Sequence, residues 1–486
     1  MSKFATLAEY EKPLADGYKL LPFRFTRLAG DEYVLTNEAG EPHVLDRSSL
    51  HAFVHHELDP RSPSYGDLKA KHFLFDSDSS LAIDLLALKV RTKLQRLADF
   101  TGLHIFVISL RCEHSCPYCQ VSRQSDDRVA FDMTPETAEK ALAMVFRSPS
   151  PAIKIEFQGG EPLLNFKLVQ YVVERAKSFN EKHGKSLEFV IATNLALLTD
   201  EVLDFCKRHK ILLSTSLDGP RDLHNRNRPR PGGDSYERAV SGIARARERL
   251  GRDQVAALMT TTEASLPRVR EIIDEYVRMG FNAVFLRPLS PYGFAMKTKW
   301  YDSYGVDRWL QFYFEGLDYI IEINKAGYPI AEQYAATILA KMLTPFGTGY
   351  VDLRSPAGIG IAAVVYNYDG DVYASDESRM LAEMKDKRFR LGNVHESSYE
   401  DVFQSENLLG PLEDSFAGSA PMCSECAFEP WCGADPVYHW ATQGDVVGNK
   451  ARSGFCARSM AIFRRLTTLM RGDPETRRLF QRWANR

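Results

Sequence analysis

The sequence predicts an α/β protein: a partly closed barrel of six βα units, preceded by a small α+β module and followed by a cysteine-bearing module. Three observations lead there. Strand-like and helix-like segments alternate from about residue 102 to residue 290, the pattern of βα units around a parallel sheet. The 486 residues suit about three domains at ~150 residues each. All but one of the eight cysteines fall in two groups, Cys112, Cys116 and Cys119, then Cys423, Cys426, Cys432 and Cys456. Clustered cysteines in a long chain bind metal more often than they form disulfides.

Residues 1–98 read as the first module. Phe23–Leu28, Glu32–Thr36 and His43–Leu45 have strand character, with a turn at Asn37-Glu38-Ala39-Gly40. Helical segments follow near Ser49–Leu58, Tyr65–Phe75 and Ser80–Leu97, an order that suits a winged-helix-like unit or a plain cap on the barrel. Residues 99–300 form the barrel. Its strands are His104–Leu110, Ile153–Phe157, Leu187–Thr193, Leu212–Ser216, Val255–Thr260 and Ala283–Leu286. Thr134 before Pro135 marks the start of a helix, an N-cap with proline at the first helical position. Six units leave one side open where a full barrel has eight. Residues 301–349 are a helical bridge with apolar positions through Trp309, Phe312, Leu317, Ile320 and Ile321. Residues 350–486 begin with strands at Gly360–Tyr366 and Asp371–Tyr373 around Asp369-Gly370, then carry the second cysteine group and a basic amphipathic helix. Cys206, inside a helix over Glu201–His209, reads as a buried small hydrophobe.

Lys plus Arg number 61 against 64 for Asp plus Glu, a formal charge of −3. That balance argues against a dedicated nucleic-acid or membrane-surface binder. The start carries no apolar signal-like run and no stretch approaches the ~18 apolar residues of a membrane span, so a cytoplasmic protein with no membrane partner is expected.

The segment Cys112-Glu113-His114-Ser115-Cys116-Pro117-Tyr118-Cys119 directly follows the first barrel strand, at the strand end where barrel enzymes keep their chemistry. Three thiolates at CxxxCxxC spacing can hold three irons of a [4Fe–4S] cube and leave the fourth open; zinc is the alternative for three cysteines taken alone. With its strand context the segment resembles the radical S-adenosylmethionine (SAM) superfamily, whose unique iron binds SAM. Gln158-Gly159-Gly160-Glu161-Pro162, after the second strand, is similar to that family's GGEP motif. The resemblance implies SAM contacts from Tyr118, Gln158, Gly159, Gly160 and Glu161, and from Asn194, Ser216, Asp218, Arg228 and Arg287 at or after successive strand ends. It also implies reductive cleavage of SAM to a 5′-deoxyadenosyl radical that abstracts hydrogen from an unactivated carbon.

The second group, Cys423-x2-Cys426-x5-Cys432 with Cys456 downstream, resembles the SPASM domain of peptide-modifying radical SAM enzymes, which binds auxiliary clusters. Ser355, Ser375 and Pro436 stand where that pattern places the thiols of one such cluster. The resemblance thus implies one auxiliary [4Fe–4S] cluster closed by four thiolates; by spacing alone a zinc ribbon remains the alternative. Asp376, directly after Ser375, is a candidate base by the same likeness.

Longer stretches, among them LHIFVISLRCEHSCPYCQVSRQ, TSLDGPRDLHNRNR and YNYDGDVYASDESRMLAEM, resemble the radical SAM maturases of the His-Xaa-Ser system. This implies a small precursor peptide with His-Xaa-Ser repeats as partner, an electron donor such as flavodoxin or ferredoxin, and a first module that adds a peptide strand to its sheet. The expected reaction is oxidative cross-linking. Epimerisation, side-chain oxidation and sulfatase-type maturation are the enzymatic alternatives, and a non-catalytic iron–sulfur or zinc protein that binds peptides or passes electrons is the other class.

Overall fold

The computed structural model describes residues 17–77 and 81–486. Strands β1 (Tyr18–Leu20), β2 (Phe23–Ala29), β3 (Glu32–Asn37), β4 (Pro42–Asp46) and β5 (Leu74–Asp76) belong to the N-terminal module. β2, β3 and β4 make one antiparallel sheet, and β1 pairs with β5 in another. Helices Arg47–Val54, Pro63–Ala70 and Ala82–Leu94 follow the expected order; the predicted start at Ser80 lies outside the described residues. Asp46 and Ser62 cap the first two by accepting from Ser49 N and Tyr65 N, which satisfies otherwise orphaned N–H groups. The segment expected to be helical to Phe75 instead leaves its helix at Ala70 and pairs Leu74–Asp76 with β1.

β6 (Leu103–Ser109), β7 (Ala152–Gly159), β8 (Ser186–Ala192), β9 (Leu212–Ser216) and β10 (Val255–Leu258) are parallel neighbours in sequence order. Helices Pro135–Val145, Phe166–His183, Asp200–His209 and Ser235–Leu250 connect them. All but the first residue of β6 are buried, as a strand covered on both faces requires. Thr134 caps its helix from Thr137 N with Pro135 behind it, and Cys206 is fully buried.

The sixth strand is shorter than its apolar run. β11 (Ala283–Val284) pairs with β12 (Ala331–Glu332) rather than joining the main sheet. Leu286 N donates to the Glu332 carboxylate at 3.2 Å and Arg287 N to Phe285 O at 2.8 Å, so the groups that would extend a ladder are diverted, and Pro288 has no N–H to give. The sixth unit still meets the fifth, through Thr261 N to Arg287 O at 2.9 Å.

β13 (Ala363–Tyr366) runs parallel to β6 on its other edge, and β14 (Asp371–Tyr373) and β15 (Arg390–Asn393) continue antiparallel from it. The C-terminal region therefore extends the barrel sheet itself. The chain end is two helices, Gly454–Gly472 and Pro474–Ala484, broken where Asp473 caps the second ahead of Pro474. Leu466, Phe480 and Trp483 are buried there, which makes this tail a packing element. Among the described residues, no helix is long and apolar enough to cross a membrane.

Candidate active site

The loop after β6 is fixed before any cofactor is considered. Arg111, 1% exposed, makes a two-pronged contact with Asp132 at 2.8 Å and reaches Asp126 and Leu164 O at 3.0 Å. The end of β7 crosses this loop at close range. Gly160 N donates to Ser109 O and Glu161 N to Arg111 O, both at 2.8 Å. A Cβ on Gly159 or Gly160 would stand 2.0 Å from Ser109 O or 2.2 Å from Arg111 O, so only glycine admits the crossing.

Cys112, Cys116 and Cys119 open onto one cavity of about 240 Å3. Its walls are the C-terminal ends of the barrel strands: Gln158 and Gly159 of β7 with Gly160 after it, Asn194 after β8, Ser214 and Ser216 of β9, Thr260 after β10 and Arg287 after β11. Tyr118, Arg228 and Asp376 complete it. Buried Gln120 Nε2, Thr215 Oγ1 and Asp376 Oδ1 lack partners, and all three residues line this space. That is the signature of a site built for a polar guest.

Two of the sequence-predicted residues stand behind the wall. Glu161, fully buried, accepts from Leu163 N (3.0 Å), Thr193 Oγ1 (2.7 Å) and Asn194 N (2.9 Å). It ties the end of β7 to the end of β8, and burial with Glu113 nearby pushes its carboxyl up to about 7. Asp218, also fully buried, accepts from the Tyr118 hydroxyl (2.7 Å), Arg228 Nε (3.0 Å) and Thr260 N (3.2 Å). Burial raises its carboxyl, but Arg228 and His224 outweigh that and hold it below the ordinary value. Arg228 lies 5.6 Å over the Tyr118 ring. Its guanidinium is thus paired and stacked, a support for Tyr118 beside the cavity.

Glu156 was missed by motif reading. It lines the cavity and accepts from Gln158 Nε2 at 2.7 Å; two-residue alternation back from Gln158 would have found it. Met259, Thr260 and Met380 carry no motif signal.

Asp376 is the first residue of helix Asp376–Ala382, capped by Ser375. Its Oδ1 is 3.7 Å from Arg379 Nε, and Arg379, 1% exposed, holds the cysteine loop through Val121 O at 3.2 Å. Burial, opposed by Arg379 and aided by Glu377, raises the Asp376 carboxyl to about 6. A carboxyl tuned upward, with an oxygen that accepts no hydrogen bond in a cavity, has the character of a general base.

The second cysteine set is enclosed differently. Cys423, Cys426, Cys432 and Cys456 line a pocket of about 190 Å3 walled by Phe25, Met422, Phe428, Met460 and Phe463. Burial raises all four thiols, Cys432 to about 12, so four thiolates here require a bound cation in exchange. The three positions without thiols have other work. Ser355 accepts from Ala417 N at 2.9 Å, Ser375 closes a capping box with Ser378, and Pro436 begins helix Pro436–Gln443.

Among the described residues, Cys112, Glu113 and His114 are the one group of three or more that brings ligand-type atoms within 4.8 Å of one another. Both His114 nitrogens are engaged, with Glu113 (3.0 Å) and Ser235 (2.9 Å), which makes that trio a hydrogen-bonded support. No three thiols of either set lie within 4.8 Å of one another, whereas bonds of ~2.3 Å to one tetrahedral ion put its thiolates ~3.8 Å apart. Thiols on separate irons of a cube stand farther apart, so the donor sets fit clusters better than zinc.

Residues 106–262 match the model of the radical SAM superfamily. A cysteine-type anaerobic sulfatase-maturating enzyme of Clostridium perfringens strain 13 is 24% identical over 66% of this chain and 84% of its own. A solved structure of anSMEcpe with bound AdoMet and Cp18Cys peptide superposes with a TM-score of 0.62 at 19% identity, covering 79% of this chain and 99% of that one. Streptococcus suis SuiB bound to precursor peptide SuiA gives 0.54 at 16% identity, over 89% and 98%. With three thiols at the end of β6 and strand ends β7 to β11 around one cavity, the chain belongs to the radical SAM superfamily, whose members bind a [4Fe–4S] cluster and SAM.

Proposed function

We propose that this enzyme modifies a ribosomally made precursor peptide, with Cys112, Cys116 and Cys119 holding the reactive cluster and Cys423, Cys426, Cys432 and Cys456 an auxiliary one. The observation that carries the reading is the single cavity shared by three thiols, five barrel strand ends and an Asp376 oxygen that accepts no hydrogen bond. When bound, the open cluster with SAM supplies a carbon radical for hydrogen abstraction, and the closed one supplies a one-electron acceptor. The chain's own residues do the rest. Tyr118, Gln158, Gly159, Gly160, Asn194, Ser216 and Arg287 contact SAM; Glu161, Asp218 and Arg228 hold those residues in place; Asp376 accepts a proton from the substrate. Oxidative cross-linking fits a base paired with a closed electron acceptor.

The N-terminal module supports a peptide partner. β4 is an outer strand of its sheet, and unpaired edges accept extended peptides. Helix Ala82–Leu94 is tied to the start of β4 by Lys89 on Glu41 at 2.8 Å and leaves Ile83, Leu85 and Leu88 43–60% exposed. The crystallised neighbours include one bound to its precursor peptide. Flavodoxin or ferredoxin is the class of electron donor.

The test is anaerobic incubation of reconstituted enzyme with SAM, dithionite and a small peptide carrying His-Xaa-Ser repeats. Formation of 5′-deoxyadenosine with a peptide loss of about two hydrogen masses is the expected result. An unchanged peptide mass with altered stereochemistry redirects the reading to epimerisation, and absence of 5′-deoxyadenosine rejects it. Leu85→Glu with Leu88→Glu should weaken peptide binding while SAM cleavage persists.

A further inference from the structure

We propose that a small acidic cavity between the loop after β11 and the C-terminal module is a substrate subsite that takes a cationic or N–H-donating side chain of the peptide. The inference rests on the peptide-modifying function proposed above. Asp352, Glu377 and Asp435 line this space of about 40 Å3 together with Tyr292, Arg287 and Arg458. One ordered water needs only ~10–15 Å3, so the space admits a larger group.

Where these acids sit in the chain matters. Asp352 stands three residues before Ser355, Glu377 two after Ser375, and Asp435 directly before Pro436. The three segments that lack thiols thus deliver three carboxylates to one cavity. Among the described residues, no ion pair within 4.0 Å joins either arginine to any of the three acids. Arg458 leans over the Trp309 and Phe455 rings, 5.7 Å from each, and its Nε has no partner. Three carboxyl groups face two guanidiniums there; burial and mutual repulsion raise the Asp352 and Asp435 carboxyls, Asp435 to about 7, so a cationic or N–H-donating guest supplies the partner that lets them ionise.

Tyr292 provides an independent sign of a guest. It is 1% exposed, and its hydroxyl has no partner. Tyr292 lines the same cavity as the three acids, and after burial itself the charges of Asp435, Glu377 and Asp352 raise its ionisation. A buried polar group in that state is costly until something pairs with it. The three acids are not among the ligand-type atoms that converge within 4.8 Å, which disfavours a metal ion and favours a larger organic group.

The position suits a substrate. Arg287 lines both this cavity and the one beside Cys112, Cys116 and Cys119, and Glu377 directly follows Asp376. A side chain anchored among the acids leaves the adjoining peptide backbone at the larger cavity, next to the candidate base.

Binding of N-acetyl-Gly-Xaa-Gly-amide peptides to the reconstituted, SAM-loaded enzyme tests this, with histidine, lysine, arginine, leucine or glutamate at the central position. At least one of the three basic peptides should bind about tenfold or more tightly than the leucine peptide, and the glutamate peptide should bind most weakly. In Asp352→Asn/Glu377→Gln that preference should collapse, with iron content and melting temperature as checks on the fold. Equal binding of all five, a preference for glutamate, no binding by any basic peptide, or a preference that survives in the variant overturns the subsite. SAM cleavage with dithionite is scored separately: its absence rejects the enzymatic reading, whereas normal cleavage without a basic preference rejects the subsite alone.

Discussion

The two cysteine pockets use the same side chain in opposite settings. The loop after β6 presents three thiols to a polar cavity that also receives strand ends, Arg287 and Asp376. The C-terminal set presents four thiols to a pocket walled mainly by phenylalanine and methionine, with Glu425, Glu429 and Lys450 also at its lining. Ligand count and lining agree in each case: three donors with polar neighbours leave a position for a reactant, and four donors with apolar neighbours leave none.

The largest effect should come from exchanging ligands. Cys116→Ala is expected to reduce 5′-deoxyadenosine formation to background and to lower iron from about eight to about four per chain. Cys426→Ala should lose similar iron yet still cleave SAM. Identical losses of SAM cleavage from both variants would erase the distinction between the pockets.

Asp376→Asn should come next, with product formation down ~10²–10⁴-fold and SAM cleavage retained. A base with its carboxyl near 6 is protonated below that pH, so product formation should fall about tenfold per unit under pH 6 while 5′-deoxyadenosine release does not follow. Rates of the two products across pH 5–8 check this. Parallel profiles would remove Asp376 from the base role.

Asp218→Asn probes the support behind the open pocket. It leaves the partly buried Arg228 guanidinium without its counter-charge and should cost up to about 3 kcal/mol in chemical denaturation. The smallest effect is expected at Ser375→Ala, about 1 kcal/mol from loss of a helix cap. A much larger loss there would indicate that Ser375 does more than close its capping box.

Much of the open pocket was legible because its residues follow strand ends in chain order. The cysteine spacing and the βα alternation place the strand ends, and the resemblance to the radical SAM superfamily adds Tyr118, Gln158, Asn194 and Ser216, all of which line the cavity. What sequence spacing does not encode is which way a strand-end side chain turns. Glu161 and Asp218 share the chain positions of cavity residues, yet their carboxylates point into backbone N–H groups and Arg228. The architecture had similar limits. The short apolar run Ala363–Tyr366 gives no hint that its partner is β6, some 260 residues away, and the diversion of Leu286 N to Glu332 that ends β11 early depends on a contact across 46 positions. The β1–β5 pair was hidden for the same reason, since three-residue strands carry almost no periodicity.

The most direct test of the open and closed pockets is electron paramagnetic resonance of the reduced protein with and without SAM. In Cys112→Ala/Cys116→Ala/Cys119→Ala, which retains only the C-terminal ligands, SAM should leave the signal unchanged, whereas in Cys423→Ala/Cys426→Ala/Cys432→Ala/Cys456→Ala it should alter the remaining signal. A SAM-sensitive signal in the first variant, or an insensitive one in the second, would contradict the assignment.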